Sequence, residues 1–300
     1  MFANLKYYVL LHLIIFIWGF TGILGKLIHL ESIPIVWYRV IIAFVALFIA
    51  LKFMKRELWI KSYNSAIAVM LVGVLVALHW VTFYASIQLS TASLGILCLS
   101  TTTIHVAWLE PLIMRRKPQL LEFVFGAVVV YGIYFVSDDF TMDEYVALGL
   151  GLLSALLAAT FSVFNAKFIQ TISATKITLY EMFSAAVFLT IVLVVTGDFN
   201  CARITPSISD VLWLLFLGVI CTSFAFLANI EVVKRLGAFT VSLSINLEPV
   251  YTIVLAIFIL NENELLGVDF YIGSTLIVFV VLLNAVLKSS QRKTQNNLSN

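Results

Sequence analysis

Charge is what this sequence lacks most. Asp, Glu, Lys and Arg make up only 11% of its 300 residues, where a soluble domain carries about a quarter. The net charge of +2 is too balanced to track a nucleic-acid backbone. Cysteine is also scarce: Cys98, Cys201 and Cys221 are odd in number and unclustered, which excludes a disulfide framework or a zinc site. The four histidines, His12, His29, His79 and His105, are scattered and form no HExxH pair. No GxxxxGK[ST] loop is present, so direct use of ATP is not indicated. No nucleophile with a positioned base is visible, and the chain is read as a non-enzyme without cofactor or metal. An intramembrane lipid- or peptide-processing enzyme is the alternative, and it lacks a recognisable catalytic motif.

What is abundant is apolar: 62% of the residues are hydrophobic. Crossing about 30 Å of hydrocarbon takes roughly 20 apolar residues as helix. Cutting the chain at its polar clusters leaves segments of that size at 7–28, 34–53, 66–88, 92–114, 120–137, 146–169, 176–196, 210–233, 238–260 and 266–287. Each is too long and too uniformly apolar for a barrel strand, so helices are required. The first run is too long for the apolar core of a secretory signal and no small-residue cleavage site follows it, so it reads as a retained helix. The expected fold is an all-α membrane protein of ten transmembrane helices.

Charge placement tests that division, because short cytoplasmic loops carry the Lys and Arg. With the N-terminus inside, fifteen of the 18 basic residues fall on the cytoplasmic side. Lys26 and Arg203 fall outside, Arg39 lies within a segment, and Asp138, Asp139, Asp198, Glu262 and Glu264 fall outside. Both termini are therefore expected in the cytoplasm, with 288–300 an irregular polar tail.

The two halves repeat. FLGVICTSFAFLANIEVVKRLGAFTVSLSINLEP in the later half resembles LVGVLVALHWVTFYASIQLSTASLGILCLSTTT in the earlier one. The pairing sets Lys26 against Lys167, Gly73 against Gly218 and Gly126 against Gly273, at spacings that drift by a few residues. A repeat of five helices is odd, so the second copy, 146–287, enters the membrane from the side opposite to the first, 7–137. Inverted repeats are a transporter device.

Ionisable and polar residues inside such segments are site candidates by default. Glu248 lies near the middle of the ninth segment beside Pro249, which removes a backbone donor and can open a kink. Ser244, Glu248 and Thr252 follow at intervals of four. Glu248 either binds a cationic group or a coupling proton, or bonds a neighbouring helix as structural glue. The repeat pairing places Thr101 and His105 opposite Glu248 and Thr252, and His105 is a second candidate for proton coupling or gating. His79, Trp80 and Tyr84 make an aromatic and polar stripe that could hold a cation or simply pack. Asn165, Ser223 and Asn229 could bond solute or another helix. Trp18 precedes Gly19, Gly22 and Gly25, which read as packing positions, while Trp18 itself could face a cavity. Arg39 and Glu181 each sit a few residues from a segment end and are expected to snorkel to opposite faces, and Glu110 to reach the interface near Arg115 and Arg116.

These features together resemble the EamA family of the drug/metabolite transporter superfamily. The strongest stretch is LGVICTSFAFLANIEVVKRLGAFTVSLSINLEPVYTIVLAIFILNENE, Leu217 to Glu264. It has a Gly/Thr-containing eighth helix, a basic KR-x-G-A turn, and a ninth helix with Glu-Pro and an acidic end. Trp18-Gly19, Pro34 before Arg39, and the turn from Arg115 to Pro118 also fit. One departure is the fourth segment, where Thr101-Thr102-Thr103 stands in place of the family's frequent mid-helix proline and Glu110-Pro111 follows later. The resemblance implies a secondary transporter of the cell membrane, an exporter of a small metabolite, amino acid or drug-like solute, working by alternating access around a midplane cavity. The expected partners are a small-molecule solute and the lipid bilayer, with H+ as the candidate coupling ion and a homodimer as the candidate assembly.

Overall fold

The computed structural model describes residues 5–115, 120–136, 140–236 and 238–298, which are helical and contain no strand. Arg116, Lys117 and Pro118, Asp138 and Asp139, and Gly237 of the basic turn lie outside the described residues. The helices are α1 Leu5–Leu27, α2 Ser32–Phe53, α3 Tyr63–Leu89, α4 Ala92–Ser100, α5 Thr102–Met114, α6 Leu120–Val136, α7 Met142–Phe168 and α8 Ala174–Val195. There follow the short α9 Cys201–Ile204, α10 Ile208–Leu215, a π-helical segment Phe216–Phe224, α11 Ala225–Leu236, α12 Ala238–Ile245, α13 Glu248–Leu260 and α14 Val268–Leu298.

Seven stretches are long and apolar enough to cross a membrane, counting α4 with α5 and the run from α10 to α11 as one stretch each. Shorter apolar helices lie at Val124–Val136, Glu248–Leu260 and Val268–Leu283. Their outer surface is apolar: Leu71, Leu112, Val130, Val195 and Phe258 are all exposed. In water such a surface would drive aggregation, whereas against lipid tails it costs nothing.

Packing repeats across the halves. α3 lies against α8 and the π-helical segment lies against α2, while α1 packs on α13 and α7 packs on α4 and α5. The glycines at two of these contacts explain the close approach. A Cβ on Gly73 would stand 2.6 Å from the Glu181 carbonyl oxygen, and one on Gly218 would stand 2.6 Å from Ile42 Cγ2. Matching left-handed caps close the fourth and ninth spans, Arg115 after α5 and Asn261 after α13, each at φ 55°.

Three features depart from the sequence expectation. The fourth apolar segment breaks at Thr101, where an unbroken helix is expected, and the ninth breaks at Asn246 and Leu247, just before the Pro249 that marks a kink there. The eighth span carries the π-helical segment inside it. The polar tail continues α14 to Leu298. It contains no glycine or proline to end the helix.

Replacing Gly73 by Ala forces α3 and α8 apart against backbone atoms, and Gly73→Ala is expected to lose about 1–3 kcal/mol of stability. Gly149, with nothing within 4 Å of its Cβ position, is the control, and Gly149→Ala should lose none. Thermal unfolding in detergent measures both, and equal midpoints would contradict the packing role of Gly73.

Candidate functional site

A cavity of about 850 Å³ lies between the helices of the two halves. Its walls come from α1, α2, α3, the two broken segments, α7, α8, the π-helical segment with α11, and Val281 of α14. The broken spans form its centre. In the fourth, Ser100, Thr101 and Thr102 donate their hydroxyls to the carbonyls of Leu97, Cys98 and Leu99, each at 2.6 Å. Three successive bonds of this kind compete with the helical ladder and bend the chain without a proline. In the ninth span Pro249 sits in the first turn of α13, where its missing N–H is not needed. Thr103 Oγ1 lies 3.4 Å from Asn246 Oδ1, so the two breaks touch.

The wall is regular. Val76, Ile96, Ser100 and Thr103 line it from the first half, and Cys221, Val241, Ile245 and Glu248 from the second. Each pair has the same sequence separation as Gly73 and Gly218. Glu248 is thus the counterpart of Thr103, two positions from the Thr101 register expected from the sequence. Thr101 is buried with its hydroxyl on Cys98, and neither it nor His105, whose nearest ring partner is Trp108, lines the cavity. The stripe of Ile96, Ser100 and Thr103 occupies one helix face and Thr101 and His105 the adjacent one.

Trp18, His79, Asn165, Glu248 and Pro249 line the cavity; Tyr84, Ser223 and Ser244 do not. Tyr84 is fully buried behind Arg39, whose Nη1 donates to its hydroxyl at 3.3 Å. Ser223 donates to the carbonyls of Ala43 and Gly218 and so joins the eighth span to α2. Ser244 turns back to Thr240 O at 2.9 Å. The break after Ile245 also separates Glu248 from Ser244. Thr252 leaves for α1 and donates to Gly19 O at 3.0 Å. His79 lies against Ser154 of α7, with Nδ1 3.0 Å from its carbonyl and 2.9 Å from its hydroxyl.

Arg39 and Glu181 do not snorkel. They are 5% and 4% exposed and both face the cavity. Each is seven residues inside its helix, about 10 Å deep at the helical rise, too far for the wet interface. The guanidinium carbon of Arg39 lies 3.7 Å from the centroid of the Trp80 ring, and Nε donates to Thr222 Oγ1 at 3.1 Å. Thr222 is delivered by the π-helical segment, where Thr222 and Ser223 donate five residues back to Leu217 and Gly218. Such segments recur at functional sites. Glu110 lines the cavity as well. The intramembrane ionisable groups were the legible signal for Arg39 and Glu181; their depth was not.

One end of the cavity is sealed. Thr21, His79, Phe83 and Thr222 are buried there, whereas Ser162 at the other end is exposed. Beyond the sealed end the halves are tied by polar bonds. Glu262, 2% exposed, accepts from the Ala92 and Ser93 amides at 2.7 and 3.0 Å and from the Ser93 hydroxyl. A carboxylate on the first amides of α4 satisfies orphan donors and meets the positive end of the helix. The His29 amide donates across the halves to Asp210 at 2.9 Å, while Lys26 donating to Ser90 O and Gln88 donating to Leu30 O at 2.7 Å brace the same end within the first half. Among the described residues no His, Cys, Asp and Glu cluster converges to hold a metal.

The EamA-like transporter family matches residues 5–138 and 146–286. An uncharacterized transporter from Archaeoglobus fulgidus is 23% identical over 270 residues, covering 87% of this chain and 91% of that protein. A crystal structure of a protein superposes with a TM-score of 0.63 at 12% identity, covering 94% of this chain and 98% of the other, a likeness of fold alone.

Removing the carboxylate that bridges the halves leaves two amides without a partner, so Glu262→Ala should cost about 1.5–3 kcal/mol. The exposed Glu264 is the comparison, with Glu264→Ala near neutral. Thermal midpoints in detergent decide it, and an unchanged Glu262→Ala would refute the cap.

Proposed function

The chain belongs to the EamA-like transporter family, and we propose that it moves a small solute out of the cell by alternating access around the cavity between its two broken spans. The observation that carries this reading is the sealed cavity itself. Polar and ionisable side chains line a space enclosed at one end by bonds between the halves and open at the other. A volume of about 850 Å³ suits a metabolite or drug-sized solute.

In this reading ten spans form two five-helix halves, 7–137 and 146–287, inserted with opposite orientation. Both termini lie on the Lys- and Arg-rich side, in the cytoplasm, and the membrane is the cell membrane. The repeat-matched wall supports inversion, since exchanging the conformations of the halves would open the sealed end and close the open one. The open end lies where α5, α7 and α11 finish, beside Arg115, Lys167, Lys234 and Arg235. The state is thus open to the cytoplasm.

Glu248 is the proposed proton carrier. It is the ionisable group on the broken ninth span, opposite the neutral Thr103 of the fourth, and Arg39 is the cation that acts on it. Protonation would change the charge at the point where the halves meet, which is where a coupling ion must act.

Purified protein in proteoliposomes should carry solute with saturable kinetics. With Glu248→Gln, gradient-driven uptake should fall by about tenfold or more while counterflow exchange persists. Unchanged driven uptake would reject the proton role, and absence of protein-dependent flux for every solute class tested would reject transport.

A further inference from the structure

Cavity walls usually satisfy their own polar atoms, and a buried acceptor left without a donor costs about 1–3 kcal/mol. Three buried side-chain atoms on this wall lack a partner: Glu181 Oε1, Asn165 Oδ1 and Asn229 Oδ1. All three are oxygens, so what is missing is a donor. The orientation of Asn165 follows from chemistry, because its amide nitrogen is the group that can donate to the Glu181 carboxylate beside it. That leaves its oxygen, like Glu181 Oε1, without a donor. Glu181 comes from α8 and Asn165 from α7, so a ligand held by both would bridge two helices of the second half.

Charge points the same way. Among the described lining residues the carboxylates of Glu181 and Glu248 face the guanidinium of Arg39. That guanidinium is already committed to Thr222, Tyr84 and the face of Trp80. Apolar walls of Met182, Phe226 and Val233 complete the same cavity. An anionic solute would bring more acceptors to acceptors. A protonated amine brings three donors and no acceptor.

Building on the transport reading, we infer that the solute is an organic cation, a protonated amine on an apolar body, and that Glu181 and Asn165 receive its ammonium group. The Glu181–Asn165 pair is then a subsite separate from Glu248: it recognises cargo, and Glu248 carries the proton.

The test uses the full-length protein in lipid nanodiscs with empty nanodiscs as the blank, and titration calorimetry with phenylbutylamine, phenylbutanol and phenylbutanoate, which share one body and differ in charge. The amine should bind at least about tenfold more tightly than the alcohol, and the carboxylate most weakly. Glu181→Gln should erase the advantage of the amine and leave the alcohol unchanged. Equal affinities, a preference for the carboxylate, or an unaltered amine affinity in Glu181→Gln overturns the inference. Should Glu181→Gln fail to fold, Asn165→Asp decides: a second carboxylate at this place must tighten amine binding several-fold, and no gain overturns the subsite. If amines fail to bind while the protein moves another solute, this inference falls and transport stands. If amines bind with the stated preference but nothing moves, the subsite stands and transport falls.

Discussion

A chain in hydrocarbon can leave the helix only where other groups take over its backbone hydrogen bonds. The rest of this structure follows from meeting that constraint at a few chosen places. In the fourth span three hydroxyls bond back to the carbonyls at the break. In the ninth, a proline occupies the first turn after it. In the eighth, two hydroxyls bond the carbonyls that a π-helical turn releases. Each irregularity lies beside the cavity, so the wall is built from the segments least able to pack as plain helix.

The same economy governs charge. Arg39 is held by a ring face, a phenol and a threonine, with no carboxylate in ion-pair contact among the described residues. Glu262 is buried because it serves as the cap of a helix in the other half. Such bonds are strong in a dry setting, and the proposed alternation would require those that join the halves to release together. On the side of Ser162, which is exposed, the described ties between the halves are peripheral: Lys176 donates to the exposed Glu57 at 2.7 Å and the Ile60 amide to the Tyr180 hydroxyl at 3.3 Å.

The all-helical membrane architecture and its two repeats were legible because apolar run length and internal similarity are properties of the sequence itself. The family resemblance was likewise carried by visible residues from Leu217 to Glu264. The breaks were harder. Pro249 announced one, whereas Ser100, Thr101 and Thr102 gave no sign until their hydroxyls were seen on the carbonyls behind them. The site suffered from register: Thr101 and Thr103 differ by two positions, enough to exchange a buried face for the cavity face, and a drifting repeat alignment cannot fix that. Arg39 and Glu181 were visible as charges in apolar segments, but a linear count from segment ends could not tell a snorkelling side chain from one turned inward. Thr222 depended on a π-helical turn, for which the sequence shows only adjacent hydroxyls.

The central claim is that one cavity is reached from alternate faces. In a variant with Cys98, Cys201 and Cys221 all replaced, single cysteines at Ser162→Cys and Thr21→Cys can be labelled by a membrane-impermeant maleimide in vesicles of known sidedness. Ser162→Cys should react only from the face bearing the N-terminus. Thr21→Cys should react only from the opposite face, and more slowly, at the rate at which the sealed end opens. Reaction of either position from both faces, or a Thr21→Cys that never reacts from the far side, would contradict it.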